Sequence, residues 1–170
     1  MKTFTLRAWH APDAPAIDAL AVHAFTQFKD AYTEWPLFKA KIGNMSTLSA
    51  HGEIIVAEKT SQPHAQSPTE LLGAVAYIGP HRSKSAFFDP AWPIMRMLVV
   101  APDARGLGVG RALAEECIAR GRRDGAAVFA LRTSELMSVA LPMYQRMGFK
   151  WHAAAPPIHG VIYGIYLKQL

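Results

Sequence analysis

The sequence predicts one mixed α/β domain over residues 1–170, with about six to seven strands in a sheet and about four helices on its faces. Two observations support this prediction. Short alternating or continuous apolar runs recur along the chain, and longer runs with apolar residues three and four positions apart lie between them. In addition, a chain of 170 residues that is 51% hydrophobic is long enough to bury one core.

The first half begins with an alternating segment, in which Phe4, Leu6 and Ala8 are separated by Thr5 and Arg7. This period of two is typical of a half-buried strand. The elements predicted for this half are a strand at 3–8, helices at 14–28 and 36–48, and strands at 54–57 and 71–78. Residues 60–70, rich in Pro, Ser and Gln, are predicted to form a mobile hairpin loop between the last two strands.

The second half contains one strand-helix-strand unit at 94–131, which should be a parallel, right-handed crossover. Its helix ends with three arginines before Gly125, a composition that suits a helix C-terminus. The elements predicted here are an irregular segment at 80–91, a strand at 94–100, a helix at 108–123, a strand at 128–131, a helix at 138–147, and strands at 149–151 and 161–167.

Composition excludes several classes of protein. Cys117 is the single cysteine and the seven histidines show no paired spacing, so neither a disulfide nor a metal site is expected. The net charge of +5 suits a polyanionic ligand, but basic and aromatic residues do not interleave as in a nucleic-acid surface. Without an apolar signal core or a run of about 20 apolar residues, the chain is expected to be cytoplasmic and not bound to a membrane.

A glycine-rich turn separates the strand at 94–100 from the next helix. Glycine lets the backbone approach a ligand closely, and the first N–H groups of a helix lack internal partners and favour an anion. A Walker loop would require Gly-Lys-Ser or Gly-Lys-Thr, and a dinucleotide fingerprint requires a different glycine spacing. The turn is therefore interpreted as an anion cradle, with a ligand-free turn as the alternative; it reads Arg105-Gly106-Leu107-Gly108-Val109-Gly110-Arg111.

This turn resembles the acyl-CoA motif of the GNAT acetyltransferases, which Arg105, Gly108 and Gly110 match. The resemblance implies a twisted, mostly antiparallel sheet with the one parallel crossover at 94–131. It also implies that N–H groups from Arg105, Gly106, Leu107, Gly108, Val109, Gly110 and Arg111 hold the CoA pyrophosphate. The pantetheine arm would then pair with the strand at Leu98, Val99 and Val100.

A second match lies downstream, where Ala140, Tyr144 and Gly148-Phe149 resemble the following helix of the same family. The resemblance places the Tyr144 phenol beside the CoA sulfur. A phenol of pKa ~10 can protonate a departing thiolate whose conjugate acid has a pKa of ~8.5, so Tyr144 is the candidate general acid.

Two departures from the family pattern bear on function. Met137 occupies a position where many members carry a cofactor-binding Asn, and Ser138 is the candidate substitute. The strand at 94–97 lacks the Glu that serves many members as general base. The side chains weighed for that role are Glu34, Glu58, Asp89, Glu135 and His81, with Glu34 and Tyr32 on the acceptor side implied by the family.

The sequence therefore predicts direct transfer of an acetyl group from the co-substrate acetyl-CoA to a primary amine of a small molecule or peptide. A transferase for another acyl-CoA, and a CoA-binding sensor or interaction module without catalysis, remain alternatives. No metal is expected, and the resemblance leaves a homodimer open because family members are often dimers.

Overall fold

The computed structural model describes residues 3–60 and 70–170. Within these ranges, seven strands form one sheet in the order β1-β2-β3-β4-β5-β7-β6. The strands are β1 (Phe4–Ala8), β2 (Glu53–Lys59), β3 (Leu71–Ile78), β4 (Ile94–Val100), β5 (Val128–Thr133), β6 (Lys150–Ile158) and β7 (Val161–Gln169). All neighbouring strands are antiparallel except β4 and β5, which are parallel. The predicted sheet and its single parallel crossover are confirmed, while the hairpin predicted at 60–70 lies mostly outside the described residues.

Four α-helices accompany the sheet in the described ranges: α1 (Ala14–Phe25), α2 (Trp35–Ile42), α3 (Val109–Arg123) and α4 (Ala140–Arg146). Helices α1 and α3 each pack on β3 and β4, the centre of the sheet. At Gly73 on β3, an added Cβ would lie 2.8 Å from Cγ1 of Val109, so glycine there allows α3 to pack closely. No helix in this part of the chain has the length and apolar character needed to cross a bilayer.

Two predicted helices are shorter than the apolar periodicity suggested. Helix α1 ends at Phe25 and continues as a 3-10 helix over Thr26–Ala31. The Thr26 hydroxyl donates to the Val22 carbonyl at 2.7 Å and the Gln27 amide donates to the Ala24 carbonyl at 3.0 Å. These side chains hydrogen-bond to backbone carbonyls of the last helical turns, and such bonds compete with continued α-helix. The predicted helix at 36–48 likewise divides into α2 and a 3-10 helix over Met45–Ala50.

Strand β6 is longer than the predicted segment 149–151. It extends to Ile158 and contains Pro156 and Pro157, which cannot donate to a strand ladder. An edge strand tolerates prolines, and β6 is the outer strand beside β7, with register shifts after Trp151 and Ala155. Apolar patterning alone could not predict the full length of this strand, because consecutive prolines usually indicate the end of a strand.

Helix α3 joins the core through one face and β2 through its C-terminal end. Its buried residues are Val109, Leu113, Ala114, Cys117, Ile118 and Gly121. At the end, the guanidiniums of Arg120 and Arg123 both pair with the Glu53 carboxylate, which lowers the pKa of Glu53 mainly through Arg123. The basic last turn predicted to end this helix therefore also ties it to β2.

Candidate acyl-transfer site

Strands β4 and β5 diverge after a short parallel contact. Only two pairs join them, Ile94 with Ala130 and Met95 with Leu131. On its other side, β4 carries a bulge, because two steps along β3 from Ala74 to Ala76 oppose three steps along β4 from Val99 to Arg96. The extra residue lies beside Met97. The backbone φ of Met97 is 55°, which is unusual for a residue other than Gly, Asn or Asp. The bulge and the divergence open the centre of the sheet.

The opening contains a cavity of about 170 Å³, here named the splay cavity. Its apolar lining comes from Phe25, Phe38, Phe88, Met95, Met97, Leu98, Leu131, Met137, Ala140 and Ile158. Its polar lining comes from Ser85, Arg96, Arg132, Thr133, Tyr144 and Tyr163. Among the described residues, no carboxylate and no histidine lines it.

A second cavity of about 150 Å³, here named the turn cavity, lies against the C-terminal half of β4 and the glycine turn. It is lined by Ala24, Phe25, Gln27, Phe28, Leu98, Val99, Val100, Arg105, Gly110, Met137, Ser138, Val139, Ala140 and Met143. Phe25, Leu98, Met137 and Ala140 border both cavities. The two cavities therefore adjoin where α1, β4 and the start of α4 meet.

The glycine turn has the geometry of an anion cradle. Gly106 and Gly108 have φ angles of 80° and 82°, and a Cβ added to either would meet nothing within 4 Å. The first hydrogen bond of α3 runs from the Ala112 N–H to the Gly108 carbonyl at 3.0 Å. In the described part of the chain, the N–H groups over 108–111 therefore have no backbone acceptor and add to the positive end of the helix dipole.

The structure brings about half of the predicted cofactor-binding residues into the turn cavity. Leu98, Val99, Val100, Arg105, Gly110 and Ser138 all line it. The others belong to the turn but not to the cavity wall: Gly106, Leu107, Gly108, Val109 and Arg111. The Val109 side chain is buried in the core, Leu107 is 50% exposed, and Arg111 pairs with Glu115 at 2.7 Å. None of these three side chains lines the turn cavity, and the Leu107 N–H, one of the groups predicted to hold the pyrophosphate, instead donates to the Ala104 carbonyl at 3.4 Å.

Tyr144, the predicted catalytic residue, lines the splay cavity. Its side chain is 6% exposed, and its ring packs edge-on against Phe149 with centroids 5.9 Å apart. Burial, with a smaller effect from Cys117, raises the pKa of Tyr144 above that of an ordinary phenol. The hydroxyl therefore stays protonated across the neutral range.

The carboxylates weighed as general bases do not line the splay cavity, nor does His81. Glu58 instead pairs with Arg7, 2.5 Å away, where β1 meets β2. The polar groups that do face the cavity include two that the sequence analysis did not select, Arg96 and Arg132. The sequence could have indicated both, because each is a single cation within or next to an apolar run of a central strand.

Arg132 is held between two aromatic rings. Its guanidinium carbon lies 5.0 Å from the ring centroids of both Phe87 and Tyr163, and its Nη2 donates to the Pro156 carbonyl. Its Nε is buried without a hydrogen-bond partner among the described residues. Burial lowers the pKa of Arg132, and the nearby charge of Arg96 lowers it further.

Comparison with known proteins agrees with this geometry. The acetyltransferase (GNAT) domain family matches residues 50–151, more than half of the chain. A mycothiol acetyltransferase of Geodermatophilus obscurus is 42% identical over 57 residues, which are 34% of this chain and 18% of that protein. The chain thus matches about a fifth of the length of this curated relative.

Solved structures show the same fold. A GCN5-related N-acetyltransferase of Rhodopseudomonas palustris is similar over 100% of this chain and 98% of its own, with a TM-score of 0.71 and 20% identity. The yncA protein of Salmonella typhimurium, solved with its cofactor acetyl-CoA, is similar over 99% and 94%, with a TM-score of 0.66 and 19% identity. With the family match, the shared fold and the glycine turn that opens α3, the chain belongs to the GNAT family of acetyltransferases.

Proposed function

We propose that this protein transfers an acetyl group from acetyl-CoA directly to the primary amine of a small molecule or peptide. The observation that carries the proposal is the junction of the two cavities at Phe25, Leu98, Met137 and Ala140. A donor in the turn cavity and an acceptor in the splay cavity would meet there, which replaces a bimolecular encounter by a positioned one. Membership of the GNAT family and the acetyl-CoA bound by yncA support this choice of donor.

The residues around the turn cavity fit acetyl-CoA. The N–H groups over 108–111 and the open space at Gly106 and Gly108 suit a pyrophosphate, and Arg105 adds positive charge beside them. Leu98–Val100 and Ser138 line the path toward the junction, where the pantetheine arm would lie. When bound, acetyl-CoA supplies the thioester whose acetyl group is transferred.

Tyr144 is the proposed general acid, since its side chain lines the splay cavity and Ala140, one helical turn earlier on α4, borders both cavities. Proton donation from an ordinary phenol to a thiolate is uphill by the difference between pKa values of ~10 and ~8.5. The same apolar surroundings that raise the pKa of Tyr144 would raise the pKa of a thiol placed beside it, so the difference stays small. Tyr144 can therefore neutralise the sulfur as the carbon–sulfur bond breaks.

The amine must lose a proton before it attacks, because an alkylammonium of pKa ~10 is mostly protonated at neutral pH. With no carboxylate or histidine among the described lining residues, the proton is proposed to leave to water at the mouth of the splay cavity. Arg96 and Arg132 assist, because neighbouring positive charge lowers the pKa of a bound ammonium. The new carbon–nitrogen bond then forms as the carbon–sulfur bond breaks, without a covalent enzyme intermediate. Tyr144 gives its proton to the departing sulfur, and the second proton that the nitrogen loses as the amide forms returns to the Tyr144 phenolate through water.

Replacement of Tyr144 by Phe tests this function. We expect kcat for amine acetylation to fall by about a hundredfold, as for loss of a general acid, while the Kd for acetyl-CoA stays within about twofold. Tyr166→Phe is the matched control, because Tyr166 is as deeply buried but lines neither cavity. Steady-state kinetics with a panel of primary amines, together with calorimetric titration of acetyl-CoA, give both quantities.

Other results would redirect the assignment. An unchanged kcat in the Tyr144→Phe variant would remove Tyr144 from the acid role. Tight acetyl-CoA binding without acetylation of any amine in the panel would favour a CoA-binding sensor. Faster transfer from a different acyl-CoA would keep the fold and the site but change the donor.

A further inference from the structure

Two guanidinium groups line the splay cavity, Arg96 from β4 and Arg132 from β5. Over the ranges 3–60 and 70–170, neither forms an ion pair, and no carboxylate lines the cavity. The Arg96 side chain is exposed and that of Arg132 is half-buried, and desolvation lowers the pKa of both. Two positive charges that line one cavity repel each other, and a ligand with negative charge relieves that repulsion.

Arg132 is prepared to bind an anion. The rings of Phe87 and Tyr163 both pack against its guanidinium, and the Pro156 carbonyl accepts a hydrogen bond from one nitrogen. Of its five N–H donors, one of Nη2 donates to the Pro156 carbonyl and that of Nε is buried, so the two of Nη1 and the second of Nη2 are left for a ligand within the described chain. A guanidinium held this way loses little side-chain entropy when it binds a carboxylate or phosphonate.

We propose that the acceptor is a small amine that also carries an anionic group, and that Arg96 and Arg132 bind that group. This inference rests on the acetyl transfer proposed above. An acceptor with an ammonium alone would enter a cavity that already holds two cations, whereas an acceptor with an anionic group compensates one of them. The remaining lining is mostly apolar, including Phe38, Phe88 and Ile158, so the best acceptors are amino acids with an apolar side chain.

The size of the cavity favours a small acceptor. Its volume of about 170 Å³ is below the roughly 300 Å³ at which pockets enclose drug-sized ligands. A peptide could place only its amino-terminal residue in the cavity. The carboxyl group of that residue is part of a peptide bond, so it carries no negative charge. A free amino acid brings the amine and the anion into the cavity together.

The test compares acceptors that differ only in the anionic group: leucine, leucinamide, and the phosphonate analogue of leucine. We expect kcat/KM for leucine to exceed that for leucinamide by about tenfold or more, as for a hydrogen bond to a charged group. The amine of leucinamide is the more readily deprotonated, because it lacks a neighbouring carboxylate, so chemistry alone would favour the amide. Acetylation of the phosphonate as well would show that anionic charge, rather than the carboxylate shape, is bound.

Variants of the two arginines connect this preference to the cavity. Arg96→Gln and Arg132→Gln should each lower the leucine-to-leucinamide ratio of kcat/KM by about tenfold, with no change in the Kd for acetyl-CoA. Arg132→Lys should restore part of the ratio, because it keeps the charge but not the fork. Arg122→Gln removes an exposed charge that lines neither cavity and should leave the ratio unchanged.

A binding measurement separates this inference from the proposed catalysis. 4-Methylpentanoate, which is leucine without its amine, should raise the Tm of the acetyl-CoA complex, and 4-methylpentanamide should not. Loss of that shift in both Gln variants supports the anion site even if no amine is acetylated. Equal or better acetylation of leucinamide, or equal shifts with acid and amide, overturns the anion inference and leaves acetyl transfer standing.

Discussion

Tyr32 and Tyr163 share a buried hydrogen bond with 2.5 Å between their hydroxyl oxygens, although 131 residues separate them along the chain. Tyr32 lies between α1 and α2, and its ring stacks on Phe38 with centroids 4.1 Å apart. Phe38 and Tyr163 both line the splay cavity. This bond therefore ties the segment that packs on Phe38 to β7 at the wall of the splay cavity.

Tyr32→Phe should destabilise the protein by about 1 kcal/mol and raise the KM of the acceptor, because it leaves the Tyr163 hydroxyl buried without a partner. Tyr163→Phe should cost a similar amount, and the double variant less than the sum of the two. Urea unfolding measures the stability. Tyr77→Phe is the control, since it breaks a hydrogen bond to Asp124 away from the cavity and should leave the KM unchanged.

At Met97, the glycine variant should be more stable than the alanine variant, which is the reverse of the usual order. With a φ of 55°, Met97→Gly should be more stable than Met97→Ala by about 1 kcal/mol, because only glycine adopts this region without strain. At Met95, whose φ is negative, the same pair should show alanine the more stable by about 0.5–1 kcal/mol. Denaturant titrations give the free energy of unfolding of each variant. If the difference between the alanine and glycine variants were the same at both positions, the strain at the bulge would be contradicted.

Gly108→Ala should lower both the affinity for acetyl-CoA and the free energy of unfolding. Its φ of 82° makes a side chain cost about 1 kcal/mol, and the new methyl group projects into the space assigned to the pyrophosphate. Gly125 has a φ of 74° and equally open surroundings at the far end of α3, so Gly125→Ala carries the same backbone cost alone. Calorimetric titration should show a higher Kd for acetyl-CoA in the Gly108 variant than in the Gly125 variant. An equal loss of affinity in both variants would contradict pyrophosphate binding at the glycine turn.

Stability should fall as the pH rises above about 10, the pKa of a tyrosine in the unfolded chain. Burial is the largest cause of a raised pKa at each tyrosine of the sequence: Tyr32, Tyr77, Tyr144, Tyr163 and Tyr166. Below pH 10 both states keep their phenol protons, whereas above it the unfolded state loses them first and gains stability. Urea unfolding at several alkaline pH values should show this decline. Phenolate absorbance of the native protein that develops near pH 10 would contradict it.

Periodicity predicted the sheet because its central strands are apolar runs, interrupted in β4 only by Arg96. Strand β3 has the predicted bounds of 71–78 and β4 those of 94–100. The helix ends could not be predicted in the same way, because Thr26 and Gln27 redirect hydrogen bonds without altering the apolar pattern. Strand β6 was missed beyond residue 151 because its prolines are tolerated only at a sheet edge, which is a property of the assembled fold.

The glycine turn could be predicted because it is one continuous backbone segment, and its role as the donor site stays a prediction. The splay cavity, the proposed acceptor site, is assembled from segments spread between Phe25 and Tyr163, which the fold brings together. Arg96 reads as one cation in an apolar strand until the bulge at Met97 and the divergence of β5 bring it to the same cavity as Arg132.

Four side chains border both cavities, so in the proposed arrangement the donor and the acceptor would be immediate neighbours. Any length added to the acyl group beyond acetyl would extend across Phe25 and Leu98 into volume that the acceptor requires. We therefore expect propionyl-CoA to bind as well as acetyl-CoA but to raise the KM of the acceptor. On this view, discrimination between acyl donors occurs through steric competition with the second substrate, and the Kd of the donor would not report it.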